Sequence, residues 1–458
     1  CDTMKEYDVI VIGSGSAMSV VDGAMSHGMD VALVDKGPLG GTCLNLGCIP
    51  SKMLIYPADR IVEIQEAEKL GIKAEIKDID FKAIMERMRR NVSEGNSHMR
   101  AGIEYADDLG YYEGTGRFIS DYTMEVNSEK IKGEKIFIAS GARPLIPPIK
   151  GIDQVDYLTN EEVLLLEERP DRMIIIGGGY IAAEYSHFFS AMGTDVTILQ
   201  RAGRLVPNSE PEISELLKKV MEKRMKIFLN TEAVEVKEKK DEYVVVARDI
   251  SSGKETEFTT DKIMIAAGRR SNADLLDLEK TGLKMDDRGF IPVNDYLETE
   301  KENIWAFGDV IGKHMFRHAA NREANVAWHN ATGEEKVKMQ YDAIPNAVFS
   351  HPQIASVGKT EEEAKREHML LIGEADYSDV AKGQAMLEDE SFAKAIVDKN
   401  SMQILGFHII GPYAPILIQE VIDAMATGGS MHPIARGMHI HPALSELILS
   451  TLGNLRDA

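Results

Sequence analysis

Cys43 and Cys48 are the side chains best suited to do chemistry. They stand five positions apart in Gly40-Gly41-Thr42-Cys43-Leu44-Asn45-Leu46-Gly47-Cys48-Ile49-Pro50-Ser51-Lys52. Two thiols can exchange with a disulfide, bind a soft metal or close a structural bridge. Three cysteines in 458 residues exclude a stapling framework, which favours metal or redox chemistry. Zinc is short of ligands here, because neither a further cysteine nor a histidine lies nearby in the sequence. A structural disulfide or two buried thiols remain open. Cysteines near a helix start gain from its dipole, which favours the reactive thiolate. A five-residue offset exceeds one helical turn, so a bridge between them requires an irregular helix.

Thiol–disulfide exchange also needs a proton for the departing sulfur. His439-Ile440-His441-Pro442-Ala443-Leu444-Ser445-Glu446 places two imidazoles and a carboxylate close in sequence. An imidazole backed by a carboxylate shuttles a proton near neutral pH. The His-x-His pair on its own reads equally as a surface loop or a metal site.

The elements around these residues are dinucleotide-binding ones. Tyr7–Ile12 is expected as a strand running into Gly13-Ser14-Gly15, followed by a helix and then the strand Val31–Val34, which ends on Asp35. Strand, glycine turn, helix, strand and acid make an opening βαβ unit. Met18 replaces the third glycine, whose usual role is close helix–strand packing, so phosphate binding at the helix N-terminus survives. Asp35 is placed to accept from a ribose hydroxyl. The pattern recurs from Arg172 through Gly177, Gly179 and Ala182 to Asp195–Leu199. Two units predict two dinucleotides, a flavin and a nicotinamide. The second unit ends on Gln200-Arg201, with Arg204 beyond, where an NAD site carries an acid. Arginine suits a 2′-phosphate, so NADPH is the expected donor, although two arginines in a solvated loop would look the same.

Ile136–Gly141 and Lys262–Gly268 both read as strands ending on glycine, and Pro144, Pro147 and Pro148 mark a linker. Further on, Thr360 and Glu363 form a capping box, Lys394–Val397 and Leu405–Ile410 read as strands, and apolar helices are expected around 416–425 and 444–452. The fold class is therefore α/β. A net charge of −22 disfavours nucleic acid and anionic membranes as partners. No apolar run approaches the ~20 residues that span a bilayer. Met4 reads as the natural start, with Cys1-Asp2-Thr3 as a non-native extension. The absence of signal-peptide features makes the cytoplasm the expected location.

From Met4 onward the chain resembles the pyridine nucleotide–disulfide oxidoreductases. The resemblance rests on the Cys43–Lys52 segment, Ala139–Gly141, Gly177–Glu184, Ala306-Phe307-Gly308-Asp309 and His439–Glu446. It implies two Rossmann-like domains and an α+β dimerisation domain. Residues 4–147 would begin the FAD-binding domain and 269–341 complete it, with 148–268 binding NAD(P) and 342–458 forming the dimer interface. It further implies that Cys48 faces the flavin and Cys43 exchanges with substrate. Lys52, paired with Glu184, would sit near flavin N5, and Tyr180 would cover the nicotinamide side. FAD would be held by Gly13, Gly15, Asp35, Gly41, Thr42, Lys52, Gly114, Ser140, Gly141, Asp309 and Ala319, with His318 near the pyrimidine edge. NAD(P) would be held by Gly177, Gly179, Tyr180, Ala182, Arg201, Arg204 and Gly268. His441, oriented by Glu446, would be the acid–base catalyst, reaching the site from the other subunit of a homodimer. No metal is implied.

Among relatives, mercuric reductases and large thioredoxin reductases are disfavoured, because no cysteine follows Cys48. Dihydrolipoamide dehydrogenase fits the cysteine segment and His441–Glu446 but normally uses NAD and an acid where Gln200 stands. Mycothione reductase resembles the chain also at Phe188–Ala191, Ser271–Leu276, Asp379–Ala381 and Arg201. The expected activity is NADPH-dependent reduction of a small thiol disulfide. The alternatives are NAD-linked oxidation of dihydrolipoyl groups and a docking role in a 2-oxo acid dehydrogenase complex.

Overall fold

A computed structural model describes residues 4–458. The expectation for Cys1-Asp2-Thr3 lies outside the described residues. The chain divides into two compact units, one running up to Ser51 and then through 86–145 and 268–340, the other taking 52–85, 146–267 and 341–458.

In the first unit the β-branched run Val9-Ile10-Val11-Ile12 is buried, as a central parallel strand requires. Lys5–Ile12 pairs in parallel with Val31–Asp35 on one side and Glu129–Ile138 on the other. Leu109–Glu113 extends the sheet beyond Val31–Asp35, and Ile304–Ala306 joins Glu129–Ile138. Arg117–Ser120 and Thr123–Val126 complete its seven strands as an antiparallel hairpin. The helix Met18–Ser26 follows the first strand, starting at the methionine that replaces the third glycine. The proline-marked stretch begins in a short strand, Ala142–Pro144, which pairs with Arg269–Ser271.

The second unit holds a parallel sheet in the order Lys226–Phe228, Asp195–Leu199, Arg172–Ile176, Lys262–Ile265. A three-stranded antiparallel sheet, Thr231–Lys239, Glu242–Asp249 and Glu255–Thr260, lies within the same segment. Its C-terminal part is a six-stranded antiparallel sheet. The predicted strands appear there as Phe392–Asp398 and Ile404–Ile410, and the Thr360–Glu363 capping box is formed. The two closing helices differ from expectation. The first is split into Ala414–Leu417 and Gln419–Ala426. The second begins only at Glu446, because the Glu446 carboxylate folds back to accept the Ala443 N–H at 3.1 Å. No helix of the described residues is long and apolar enough to cross a membrane.

Candidate active site

The Cys43–Lys52 segment forms two helices with a break between them. Cys43 lies inside the short helix Gly41–Asn45, and Cys48 is the first residue of the helix Cys48–Glu66. Leu46 and Gly47 supply the break that the five-residue spacing demanded. Cys48 is exposed and Cys43 half-buried. A thiol in the first turn of a 19-residue helix sits in the positive end of its dipole, which stabilises the thiolate.

The segment is fastened to the first glycine loop. Gly13 has φ +104°, and a Cβ there would stand 2.2 Å from the Ala139 carbonyl oxygen, so glycine is required where the two strand ends meet. Ser14, whose role sequence reasoning missed, is fully buried. Its Oγ accepts the Gly40 N–H at 2.9 Å, and its own N–H donates to Asp35 Oδ2 at 2.6 Å. Asp35 Oδ1 accepts the Gly37 N–H at 2.6 Å. Each carboxylate oxygen keeps a lone pair, so Asp35 is oriented by the backbone and can still accept from a hydroxyl. Gly41 packs its backbone against Gly15. Gly114 donates its N–H to the Asp35 carbonyl at 2.8 Å.

The remaining expected FAD contacts also lie in this unit, except Lys52, which falls in the other. Ser140 carries a buried Oγ with no hydrogen-bond partner among the described residues, and the Gly141 carbonyl accepts the Asn272 N–H. Asp309 lies 3.7 Å from Arg269 Nε, and burial raises its carboxyl above the ordinary range while Arg269 pulls it down. Ala319 is buried in the helix Arg317–Thr332, with His318 stacked on Phe316. A cradle closed to any Cβ at Gly13, an oriented carboxylate and an orphaned hydroxyl fit a dinucleotide with its ribose and pyrophosphate. Thr42 sits in the short helix with Cys43. Gly268 falls in this unit as well, its carbonyl accepting the Leu145 N–H at 2.9 Å.

The second unit carries the other nucleotide loop. Gly177 has φ +122°, and a Cβ there would stand 2.0 Å from the Ala266 carbonyl. Gly179 caps the helix Tyr180–Ala191, Ala182 is buried, and Tyr180 is partly exposed at its first turn. Gln200 is buried, with Nε2 donating to the Arg204 carbonyl at 3.0 Å. Arg204 Nη2 donates to the Pro207 carbonyl at 2.9 Å, and Val206 N–H to the Gly178 carbonyl at 2.7 Å. The loop is thereby folded back onto the glycine turn. Arg201 is exposed and forms no ion pair with the described residues, which fits it for an incoming phosphate.

Lys52 and Glu184 pair as expected. Lys52 Nζ lies 3.1 and 2.9 Å from the two carboxylate oxygens, and Glu184 is 5% exposed at its side chain. Lys52 stands one turn beyond Cys48 on the same helix. Sequence reasoning missed Phe349, whose N–H donates to Glu184 Oε1 at 3.0 Å and whose ring centroid lies 4.8 Å from Lys52 Nζ.

The two C-terminal histidines separate cleanly. His439 is 8% exposed and held by Glu420 at 2.9 Å and by the Gly437 carbonyl, a structural arrangement. His441 is 71% exposed, with Nδ1 2.9 Å from Glu446 Oε1. The His441 hydrogen bond and the Ala443 N–H hold the Glu446 carboxyl below the ordinary carboxylate range. Nδ1 is thus committed to Glu446 and Nε2 presented outward, the arrangement of a histidine that passes protons. Met438, Ile440, Tyr413 and Ile416 are exposed apolar side chains of the same region.

Residues 7–324 match the family model described as pyridine nucleotide-disulphide oxidoreductase, and residues 344–451 match its dimerisation domain. The chain is 33% identical over 470 residues to mycothione reductase of Mycobacterium tuberculosis H37Rv, covering 99% of this chain and 100% of that protein. It is 33% identical over 450 residues to dihydrolipoyl dehydrogenase of Thermus scotoductus, covering 97% and 96%. Among solved structures it resembles the Cu(II) complex of the HOCl-induced flavoprotein disulfide reductase RclA from Escherichia coli, with TM-score 0.87, 26% identity, and 98% and 99% of the two chains covered.

Proposed function

This chain belongs to the pyridine nucleotide-disulphide oxidoreductase family, and from that premise we propose that it reduces a small thiol disulfide with NADPH. The enzyme is a flavoprotein of the class that acts on sulfur groups, dependent on FAD and NAD(P)H. The observation that carries the finer reading is the end of the strand Asp195–Leu199. An NAD site needs a carboxylate there, and this chain has a buried Gln200 followed by an exposed Arg201.

FAD, when bound, carries the electron pair from the nicotinamide to the cysteines. The chain's own residues do the rest. With the pair reduced, the Cys43 thiolate attacks one sulfur of the substrate disulfide. One substrate thiolate departs and takes a proton from the His441 imidazolium, which Glu446 orients and stabilises. Cys48 then attacks the Cys43 mixed disulfide, releasing the second thiolate and leaving the Cys43–Cys48 disulfide. Two electrons pass from the pair to the substrate. Lys52, held by Glu184, supplies positive charge beside the flavin, where reduced flavin is favoured. Asp35, Ser140 and Asp309 would hold FAD, with Ser14 orienting Asp35, and Gly177, Gly179 and Arg201 would hold NADPH.

A homodimer completes the site, with His441 serving the cysteines of the other protomer. The dimerisation domain supports this, as do the exposed Met438 and Ile440 flanking His439, since solvent-facing side chains of this kind gain by burial. The cytoplasm is the proposed location.

Identity equal to that with mycothione reductase favours a second reading, NAD-linked oxidation of dihydrolipoyl groups. Holoenzyme assayed with NADH and NADPH against dihydrolipoamide, lipoamide and a panel of low-molecular-weight disulfides separates the two. NADPH-linked reduction of one of the panel disulfides is expected. Fast NAD-linked dihydrolipoamide oxidation with no NADPH-linked disulfide reduction overturns the proposal.

A further inference from the structure

The Lys52–Glu184 pair is closed by a third element, the loop between the strands Pro345–Val348 and Ile354–Gly358. Glu184 is buried, and a buried carboxylate needs more than one donor to satisfy and orient both of its oxygens. Lys52 reaches both of its oxygens, and the Phe349 N–H supplies a further donor at 3.0 Å. The ammonium end is held by the same residue, because the Phe349 ring centroid lies 4.8 Å from Lys52 Nζ, within cation–π range. One residue therefore fixes the carboxylate through its backbone and the ammonium through its ring.

The loop is itself anchored to the two helices that carry the pair. His351 Nε2 lies 3.2 Å from Glu66 Oε1 at the far end of the helix Cys48–Glu66. Its ring stacks at 5.8 Å on His187, one turn beyond Glu184 on the helix Tyr180–Ala191, and His187 in turn meets Asp59 at 2.7 Å. A four-carbon lysine stem otherwise gives its charge a wide range of positions.

We propose that Phe349 is a positioning residue of the oxidoreductase site, its ring holding the Lys52 ammonium where it favours reduced flavin. The inference rests on the placing of Lys52 beside the flavin in the proposed function. The test is the midpoint potential of the bound flavin in the holoenzyme and in Phe349→Leu, Phe349→Tyr, Lys52→Met and the Phe349→Leu/Lys52→Met double variant. Phe349→Leu keeps the N–H and removes the ring face, and Phe349→Met runs beside it in case one variant loses flavin. Lys52→Met is expected to make the potential more negative. Phe349→Leu shifts it in the same direction by about three- to tenfold in the two-electron equilibrium, ~15–30 mV. Phe349→Tyr stays within about twofold of wild type, and the double variant matches Lys52→Met alone.

A Phe349→Leu potential equal to wild type overturns the inference, as does a shift that adds in full to that of Lys52→Met. A Lys52→Met potential equal to wild type removes Lys52 from the flavin, and Phe349's role falls with it.

Discussion

Replacing Arg201 with alanine tests the electron donor. Arg201 is exposed, and its guanidinium is engaged by no carboxylate of the described residues. A charge-assisted hydrogen bond to a phosphate contributes about 1.5–3 kcal/mol when well sheltered. Solvent screening at an exposed site lowers that to about 1–2 kcal/mol, which corresponds to about 5- to 30-fold in kcat/KM. NADH lacks the 2′-phosphate, so its kcat/KM should change by less than about twofold. Arg204→Ala should cost NADPH less phosphate binding, because Arg204 Nη2 already bonds the Pro207 carbonyl. Adding Gln200→Glu does not simply convert the enzyme to NADH. Gln200 is buried and donates to the Arg204 carbonyl, and a glutamate there would turn a donor into a repelled acceptor. The assay is steady-state kinetics with both nucleotides at low and high salt, and the NADPH advantage should shrink as salt rises. An unchanged NADPH/NADH ratio in Arg201→Ala, or equal losses with both, refutes the reasoning.

Two further predictions concern buried charge. Lys394 is 1% exposed, with Nζ 2.8 Å from Glu210, 2.7 Å from Glu361 and 3.1 Å from Glu212. Burial alone would lower its pKa, and the hydrogen bonds its ammonium donates to Glu210 and Glu361 more than reverse this, so its contribution is complete at neutral pH and lost only as pH climbs past the ordinary lysine range. Lys394→Met strands the buried Glu210 and should cost about 3–5 kcal/mol, roughly 3–9 °C in Tm, with partial recovery on adding Glu210→Gln. A drop under about 2 °C in thermal melts contradicts this. His187 is pushed down to about 4 by burial, against the pull of Asp59. The unfolded state therefore binds the extra proton first, and wild type should lose up to about 3 kcal/mol as pH falls from about 6.5 to about 4. His187→Gln should flatten that slope in urea titrations, and an identical slope speaks against a neutral His187.

The helix break between Cys43 and Cys48, both glycine turns and the Thr360–Glu363 cap were legible because each is local. A φ-positive glycine, a helix start and an i,i+3 cap are written in consecutive residues. His441–Glu446 was legible for the same reason. Ser14 was passed over because its side chain matters only through Gly40, twenty-six residues away. Phe349 and Glu184 are 165 residues apart, and no local pattern announces their contact. Lys394 did leave a trace. It alternates with Phe392 and Ile396 on one face of an apolar strand, so a lysine at an inward position signals a buried carboxylate partner. The partner itself, Glu210, lies 184 residues away and could not be named from the strand. The late start of the last helix was hidden because Leu444 continues the apolar pattern, whereas the Glu446 hydrogen bond to Ala443 sets where helix begins.

The central claim is that Cys43 and Cys48 are the redox centre, with Cys48 towards the flavin. The absorption spectra of oxidised Cys43→Ser and Cys48→Ser holoenzymes test it most directly. The account predicts a long-wavelength charge-transfer band in Cys43→Ser, from a Cys48 thiolate beside oxidised flavin, and none in Cys48→Ser. A band confined to Cys48→Ser, or absent from both, contradicts it.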